Sequence, residues 1–200
     1  LRRFLNFLLV PFFTNVFLPA EYGVVNILYS YIAIFNIIFM YGMDSAFLKY
    51  AAFKDIGDDK ENFSTPYISV FFSSVILVAL IILFRNPIAA FLDIDSGKIY
   101  LIVLSALILF FDSNVVIPFL KLRLERKAKF FSLLKVLNIS INIILNVYLI
   151  VELKWGIEAI FISNLAASVF TLIFILPTIV KNFKFTFHKV LFNRLLKFGL

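Results

Sequence analysis

The chain has 200 residues, no cysteine, 62% hydrophobic residues, a mean hydropathy of +1.02 and a formal net charge of +7. Soluble domains are nearer half apolar and long apolar runs belong in a bilayer, so the composition argues against a soluble domain. The missing cysteines exclude disulfides and thiolate metal ligands. The basic excess does not point to nucleic acid, because the cations sit in short segments between apolar runs, a membrane-topology pattern.

The first apolar run, Phe4 to Leu18, is short of the roughly 20 residues a crossing needs. The expectation is a span over residues 1–18 that begins upstream of Leu1. Arg2 and Arg3 then lie either inside the membrane zone or at its interface, snorkelling. No cleavable signal peptide is read there. Pro11 falls mid-run and predicts a kink. Pro19 to Gly23 reads as a tight turn, and the second span as residues 24–43. Within it Asn26 and Asp44 are five helical turns apart, so one continuous helix would carry both on one face, with Ser30, Ala33 and Met40 near that line.

Lys49 to Thr65 reads as a polar loop, with Pro66 as the first helical residue of a third span, residues 66–84. Arg85 to Lys98 reads as a loop and residues 99–120 as the fourth span. A basic loop follows, Lys121 to Lys129, then a fifth span at 130–151 and a sixth at 157–180. Residues 181–197 are basic and Phe-rich, with Phe187, Val190, Leu191, Leu195 and Phe198 at helical spacing. That spacing predicts an amphipathic surface helix. A chain starting on Leu and ending in Leu195-Leu196-Lys197-Phe198-Gly199-Leu200 reads as a fragment open at both ends.

Orientation follows from the cations. The loops after the even-numbered spans carry Lys49, Lys54 and Lys60, then Lys121, Arg123, Arg126, Lys127 and Lys129, then Lys181, Lys184, Lys189, Arg194 and Lys197. The opposite loops carry Arg85, Lys98 and Lys154. The positive-inside rule puts the former loops, and the N-terminus, in the cytoplasm.

Polar groups inside the spans carry the functional signal, since they must face protein or water. Lys135, Asn138, Asn142 and Asn146 fall at spacings of 3, 4 and 4, one stripe on one helix face. A single Asn is interhelical glue worth about 0.6–2 kcal/mol. Four positions in register, one of them Lys, favour a cavity wall. Asp112 sits near mid-span, where a carboxylate costs about 2.5–3.5 kcal/mol. It reads either as a protonatable or ion-binding group or as a structural partner of Asn114 or Lys135. Asp44, nearer a span end, reads as a coupling group or a solvated helix terminus. Ser163, Asn164, Ala166, Ala167 and Ser168 are packing chemistry. No zinc set forms around the lone His188. Asp93-Ile94-Asp95 is a weak match to a sugar-nucleotide metal motif. Asp55, Asp58, Asp59 and Glu61 read either as a divalent-ion site or as a solvated loop, and the interleaved Lys54 and Lys60 favour the loop.

Several stretches together resemble a known family. They are Arg3 to Pro11 (RFLNFLLVP), Pro19 to Gly23 (PAEYG), Gly42 to Tyr50 (GMDSAFLKY), Arg123 and Arg126 with Phe130, Asn142 and Asn146, Trp155-Gly156-Ile157, and Leu196 to Leu200 (LKFGL). In order and spacing they resemble the N-terminal lobe of the bacterial polysaccharide-biosynthesis flippases. These are the Wzx-type branch of the multidrug/oligosaccharidyl-lipid/polysaccharide exporter superfamily. Lys49 replaces a usual Arg, and Ala159 a common Gly.

The resemblance implies an all-α integral membrane protein whose six transmembrane helices form one lobe of a two-lobe exporter. It implies a bacterial inner-membrane location and alternating-access movement of undecaprenyl-pyrophosphate-linked oligosaccharide. Arg3 would then face the cavity from span one. The expected substrate-binding residues are Arg3, Arg2 and Lys135 for the diphosphate and Asn26, Ser30, Asn138, Asn142 and Asn146 for sugar hydroxyls. Asp112 and Asp44 are the candidate coupling-ion residues. Expected partners are the lipid-linked oligosaccharide, membrane lipid, and polysaccharide polymerase and chain-length proteins, with lipopolysaccharide among the products served. Nucleic acid, cofactor, metal and catalytic residues are not expected. The alternatives are a cation-coupled drug exporter of the same superfamily, whose first helix usually carries an acid that residues 1–18 lack, and a membrane-embedded glycosyl- or phosphotransferase.

Overall fold

The computed structural model describes residues 10–53 and 57–199. Among these residues every regular element is helical. Helix α1 covers 10–16. It is followed by α2 (Pro19–Met40), α3 (Met43–Phe53), α4 (Asp59–Leu83), α5 (Arg85–Phe91), a 3₁₀ turn (Ser96–Lys98), α6 (Tyr100–Leu124), α7 (Ala128–Val147), a π-helical turn (Tyr148–Glu152), α8 (Glu158–Asn182) and α9 (Lys189–Gly199). Five of these segments are long and apolar enough to cross a bilayer: Pro19–Met40, Asp59–Leu83, Ser96–Leu124, Ala128–Glu152 and Glu158–Asn182. The shortest, at 1.5 Å per residue, reaches about 33 Å, against a hydrocarbon core of about 30 Å. The first half of the expected first span, residues 1–9, lies outside the described residues; α1 falls in its second half.

Helix ends follow local chemistry that shifts several expected boundaries. The second span does not run through to Asp44. Tyr41 (φ 32°) and Gly42 (φ 75°) are left-handed, and the chain restarts as α3. Asn26 and Asp44 therefore share no helix face. Asp44 lies in the first turn of α3, where the positive end of the helix dipole favours a carboxylate.

The expected polar loop from Lys49 to Thr65 is mostly helix. Asp58 starts α4 through a reciprocal capping box: its Oδ1 accepts the Glu61 N–H at 2.7 Å, and Glu61 Oε2 accepts the Asp58 N–H at 3.2 Å. Pro66 consequently sits inside α4 rather than at its start. Arg85 to Lys98 likewise holds α5 and the 3₁₀ turn. The basic loop after α6 shrinks to Glu125–Lys127, closed by Arg126 at φ 55° with Lys127 N–H bonded to the Leu122 carbonyl.

Helices α6 and α8 pack along each other and form the centre. Half of each one's span window is buried, against 17–28% for α2, α4 and α7, which turn apolar faces outward. Helices α2 and α4 lie on α6, and α7 lies on α8. Two cores stack along the bundle. One joins α2, α5 and the first halves of α6 and α8. The other joins α3, the first half of α4, the second halves of α6 and α8, and α9.

At the second core the segment after α8 is strapped to α4. The Lys184 N–H donates to Ser64 Oγ at 2.7 Å and the His188 N–H to Thr65 Oγ1 at 3.2 Å. Lys184 Nζ reaches Asp58 at 3.0 Å. His188 Nδ1 accepts the Leu191 N–H, so the lone histidine caps α9. Leu191 and Leu195 are fully buried beneath that amphipathic helix.

Candidate functional site

Many polar side chains in the crossing helices are satisfied on their own backbone. Ser30 donates to the Asn26 carbonyl, Asn36 to Ile32, Ser105 to Leu101 and Asn182 to Thr178, each four residues back. In hydrocarbon this removes an unpaired donor without requiring a partner helix. Ser30, an expected sugar ligand, is one of these back-bonded residues.

A second group behaves differently and surrounds a cavity of about 220 Å³ between α1, α2, α7 and α8. Its polar wall is Tyr22, Asn26, Tyr29, Asn138, Asn142, Asn146 and Asn164; Val10, Phe13, Val25, Ile139, Ile143 and Ile160 complete it. Asn138 Nδ2 bridges to α8, donating to the Ala167 carbonyl at 2.9 Å and Thr171 Oγ1 at 2.8 Å. Asn164 Nδ2 donates to the Tyr29 hydroxyl at 3.0 Å, joining α8 to α2. Asn146 Nδ2 donates to the carbonyl and side-chain oxygens of Asn142. The Asn146 side-chain oxygen is buried and finds no hydrogen-bond partner among the described residues. An orphaned buried acceptor costs about 1–3 kcal/mol. The π-helical turn begins two residues after Asn146, and such turns often occur at functional sites.

Four of the expected residues, Asn26, Asn138, Asn142 and Asn146, thus come together. Others do not. Lys135 continues the α7 stripe but lies beyond the cavity, its Nζ 4.3 Å from the centre of the Phe119 ring on α6. Asp112 accepts from Ser168 Oγ at 2.7 Å, inside the α6–α8 contact. Its expected partner Asn114 instead donates to Ser74 on α4 and to the Phe110 carbonyl. Asp44 is on α3, away from the wall. Arg2 and Arg3 lie outside the described residues, as do Lys54 and Asp55.

The Asp93-Ile94-Asp95 motif is turn chemistry. Asp93 (φ 54°) ends α5, with the Ile94 N–H on the Ala89 carbonyl, and Asp95 caps the 3₁₀ turn by accepting the Gly97 N–H. Asp58 is likewise explained as a helix cap. The sequence reading missed Tyr22, Tyr29 and Asn164 as wall residues. Tyr22, Asn26 and Tyr29 fall at i, i+4 and i+7, so one α2 stripe held the signal; the stripe through Ser30 was the neighbouring one.

The cavity presents carboxamides and phenols and, among the described lining residues, no charge. It can therefore exchange hydrogen bonds with a neutral, hydroxyl-rich solute at membrane depth. A helical bundle of this hydropathy is a multi-pass membrane protein. More particularly, the chain belongs to the polysaccharide biosynthesis protein family, whose model matches residues 15–200. Neither the curated proteins nor the solved structures hold a match to it.

Proposed function

We propose that this chain is the N-terminal lobe of a flippase that moves undecaprenyl-pyrophosphate-linked oligosaccharide across a bacterial inner membrane. The observation that carries the reading is the neutral asparagine- and tyrosine-lined cavity among membrane-crossing helices, in a polysaccharide biosynthesis protein. Sugar hydroxyls entering it trade water bonds for carboxamide and phenol bonds worth about 0.5–1.5 kcal/mol each. Several such bonds select a saccharide yet let it leave, which transport requires. The α8–α9 end, rich in Lys and Arg, is the cytoplasmic end. The diphosphate is held by Arg3, Arg2 and Lys135, with guanidinium forks suited to phosphate oxygens. The polyprenyl tail stays in lipid. Asp112, in the central α6–α8 contact, couples a proton or cation to lobe movement, and alternating access follows from rocking this lobe against another.

The test is polymer export in a strain lacking the protein. Asn142→Leu combined with Asn146→Leu should abolish export while membrane levels stay normal, as should Arg3→Ala. Asn36→Leu, which removes a back-bonded group outside the wall, should leave export unchanged. Full export by the double variant would overturn the reading.

A further inference from the structure

A second concavity, of about 230 Å³, opens on the opposite side of α2 from the polar one and exposes no polar surface. It lies between α2 and α4, with α6 as its floor and α5 across one end. Leu28 and Phe35 form one wall, Ile81 the other, Ile102 and Leu109 the floor, and Ile88 the end. Two lining residues carry hydroxyls: that of Ser105 is turned back onto the Leu101 carbonyl at 2.8 Å, and that of Tyr31 adds no polar surface to the groove.

We infer that this groove holds one acyl chain of a bilayer phospholipid as a bound, slowly exchanging ligand. Three observations carry the assignment. Leu28 to Phe35 and Ile102 to Leu109 are each seven residues apart, so the groove runs about 10 Å along the helices. That is the direction in which a lipid tail lies. Its α4 wall, Ile81, is flanked by the outward-facing Leu80 and Phe84, 45% and 51% exposed, so the groove's edge meets hydrocarbon. Its α5 end lies at the interface. Tyr100 there reaches Glu158 across to α8, and Trp155 and Phe91 are exposed, an aromatic belt. Arg85, one turn before Ile88 on α5, supplies a cation for the phosphate headgroup.

An empty groove would forfeit dispersion contacts along its whole wall, and water does not wet such a lining. In a bilayer the matching filler is a methylene chain. A fixed wall that need not reorganise holds it longer than neighbouring lipids do.

The full chain in nanodiscs of brominated phospholipid tests this. In a Trp155→Phe background, Ile81→Trp reports from the groove and Ile76→Trp from the outer face of the same helix. After transfer into unbrominated lipid, quenching should fade about tenfold more slowly at position 81 than at 76, equivalent to about 1.4 kcal/mol in favour of the groove. Ala106→Leu, which narrows the floor, should remove that lag; the milder Ser105→Ala should preserve it. Equal fading at both positions would overturn the assignment. So would absence of quenching at position 81 together with cross-linking to a second copy.

Discussion

Asn146 shows why residue type alone is a poor guide to function inside a membrane. Asn36 and Asn146 are both carboxamides in crossing helices. Both donate to the carbonyl four residues back, but Asn146 also bonds the Asn142 side chain and lines the cavity, whereas Asn36 does neither. The cavity reading makes a direct prediction, because a thiol reacts as thiolate and needs water. The chain has no cysteine, so one introduced residue reports alone. Asn142→Cys should react in intact membranes with a small charged thiol reagent, and Phe72→Cys should not. Asn146→Leu should lower transport about three- to tenfold, the worth of one or two hydrogen bonds, with little change in thermal stability because an orphan acceptor is also removed.

Asp58 illustrates a residue whose charge serves the fold. The Glu61 backbone N–H, and then the Lys184 ammonium, hold its carboxyl below the ordinary carboxylate range, while Asp58 holds Lys184 above the ordinary lysine range. A depressed carboxyl contributes above its unfolded pKa and loses that contribution as pH falls through the folded value. Raised Lys184 contributes below its own unfolded pKa and fades as pH rises through the folded one. Protection against hydrogen exchange at Lys184 to His188, corrected for the intrinsic pH dependence of amide exchange, should therefore hold steady through neutral pH and fall below about pH 4. Asp58→Asn should remove the acid-side change. Both groups are solvent-exposed, so added salt should weaken the effect.

At the scale of elements, boundaries were set by caps and contacts more than by apolar runs. The α2–α3 break needs two neighbouring left-handed residues, and Gly42 also meets the backbone of Gly199 at the end of α9. A Cβ there would overlap Gly199 and adopt a conformation that costs an L-residue roughly 1–2 kcal/mol. Gly42→Ala should loosen α9. A cysteine at Leu195, 1% exposed, should be labelled slowly in the parent and fast in that variant. The spans after α5 were legible because their hydrophobic runs are long and bounded by Lys and Arg. The N-terminal third of α4 was not, since Asp59 to Thr65 is polar and read as loop. Ser64 and Thr65 are buried beneath the strap, a contact between positions some 120 residues apart.

For the whole molecule, the asymmetry of the cations predicts topology. A reporter active only in the cytoplasm should work when fused after Lys127 and fail after Lys154. Neutralising Lys121, Arg123, Arg126, Lys127 and Lys129 together should blur that contrast. The opposite pattern would invert the bundle and place the cavity's basic-loop end outside.

Membrane character, all-helical class, family and the α7 asparagine stripe were determined by the sequence alone. Apolar run length, cation placement and spacings of three and four act within one helix or loop. Only the tertiary structure decided which polar residues are spent on their own backbone, which helices stand at the centre, and that α2 and α8 bring Tyr22, Tyr29 and Asn164 to face α7. Those outcomes depend on how helices rotate against one another, and many rotations would bury the same apolar area. Close packing along α6 and α8 selects among them, a constraint distributed over the whole chain rather than readable at any one position.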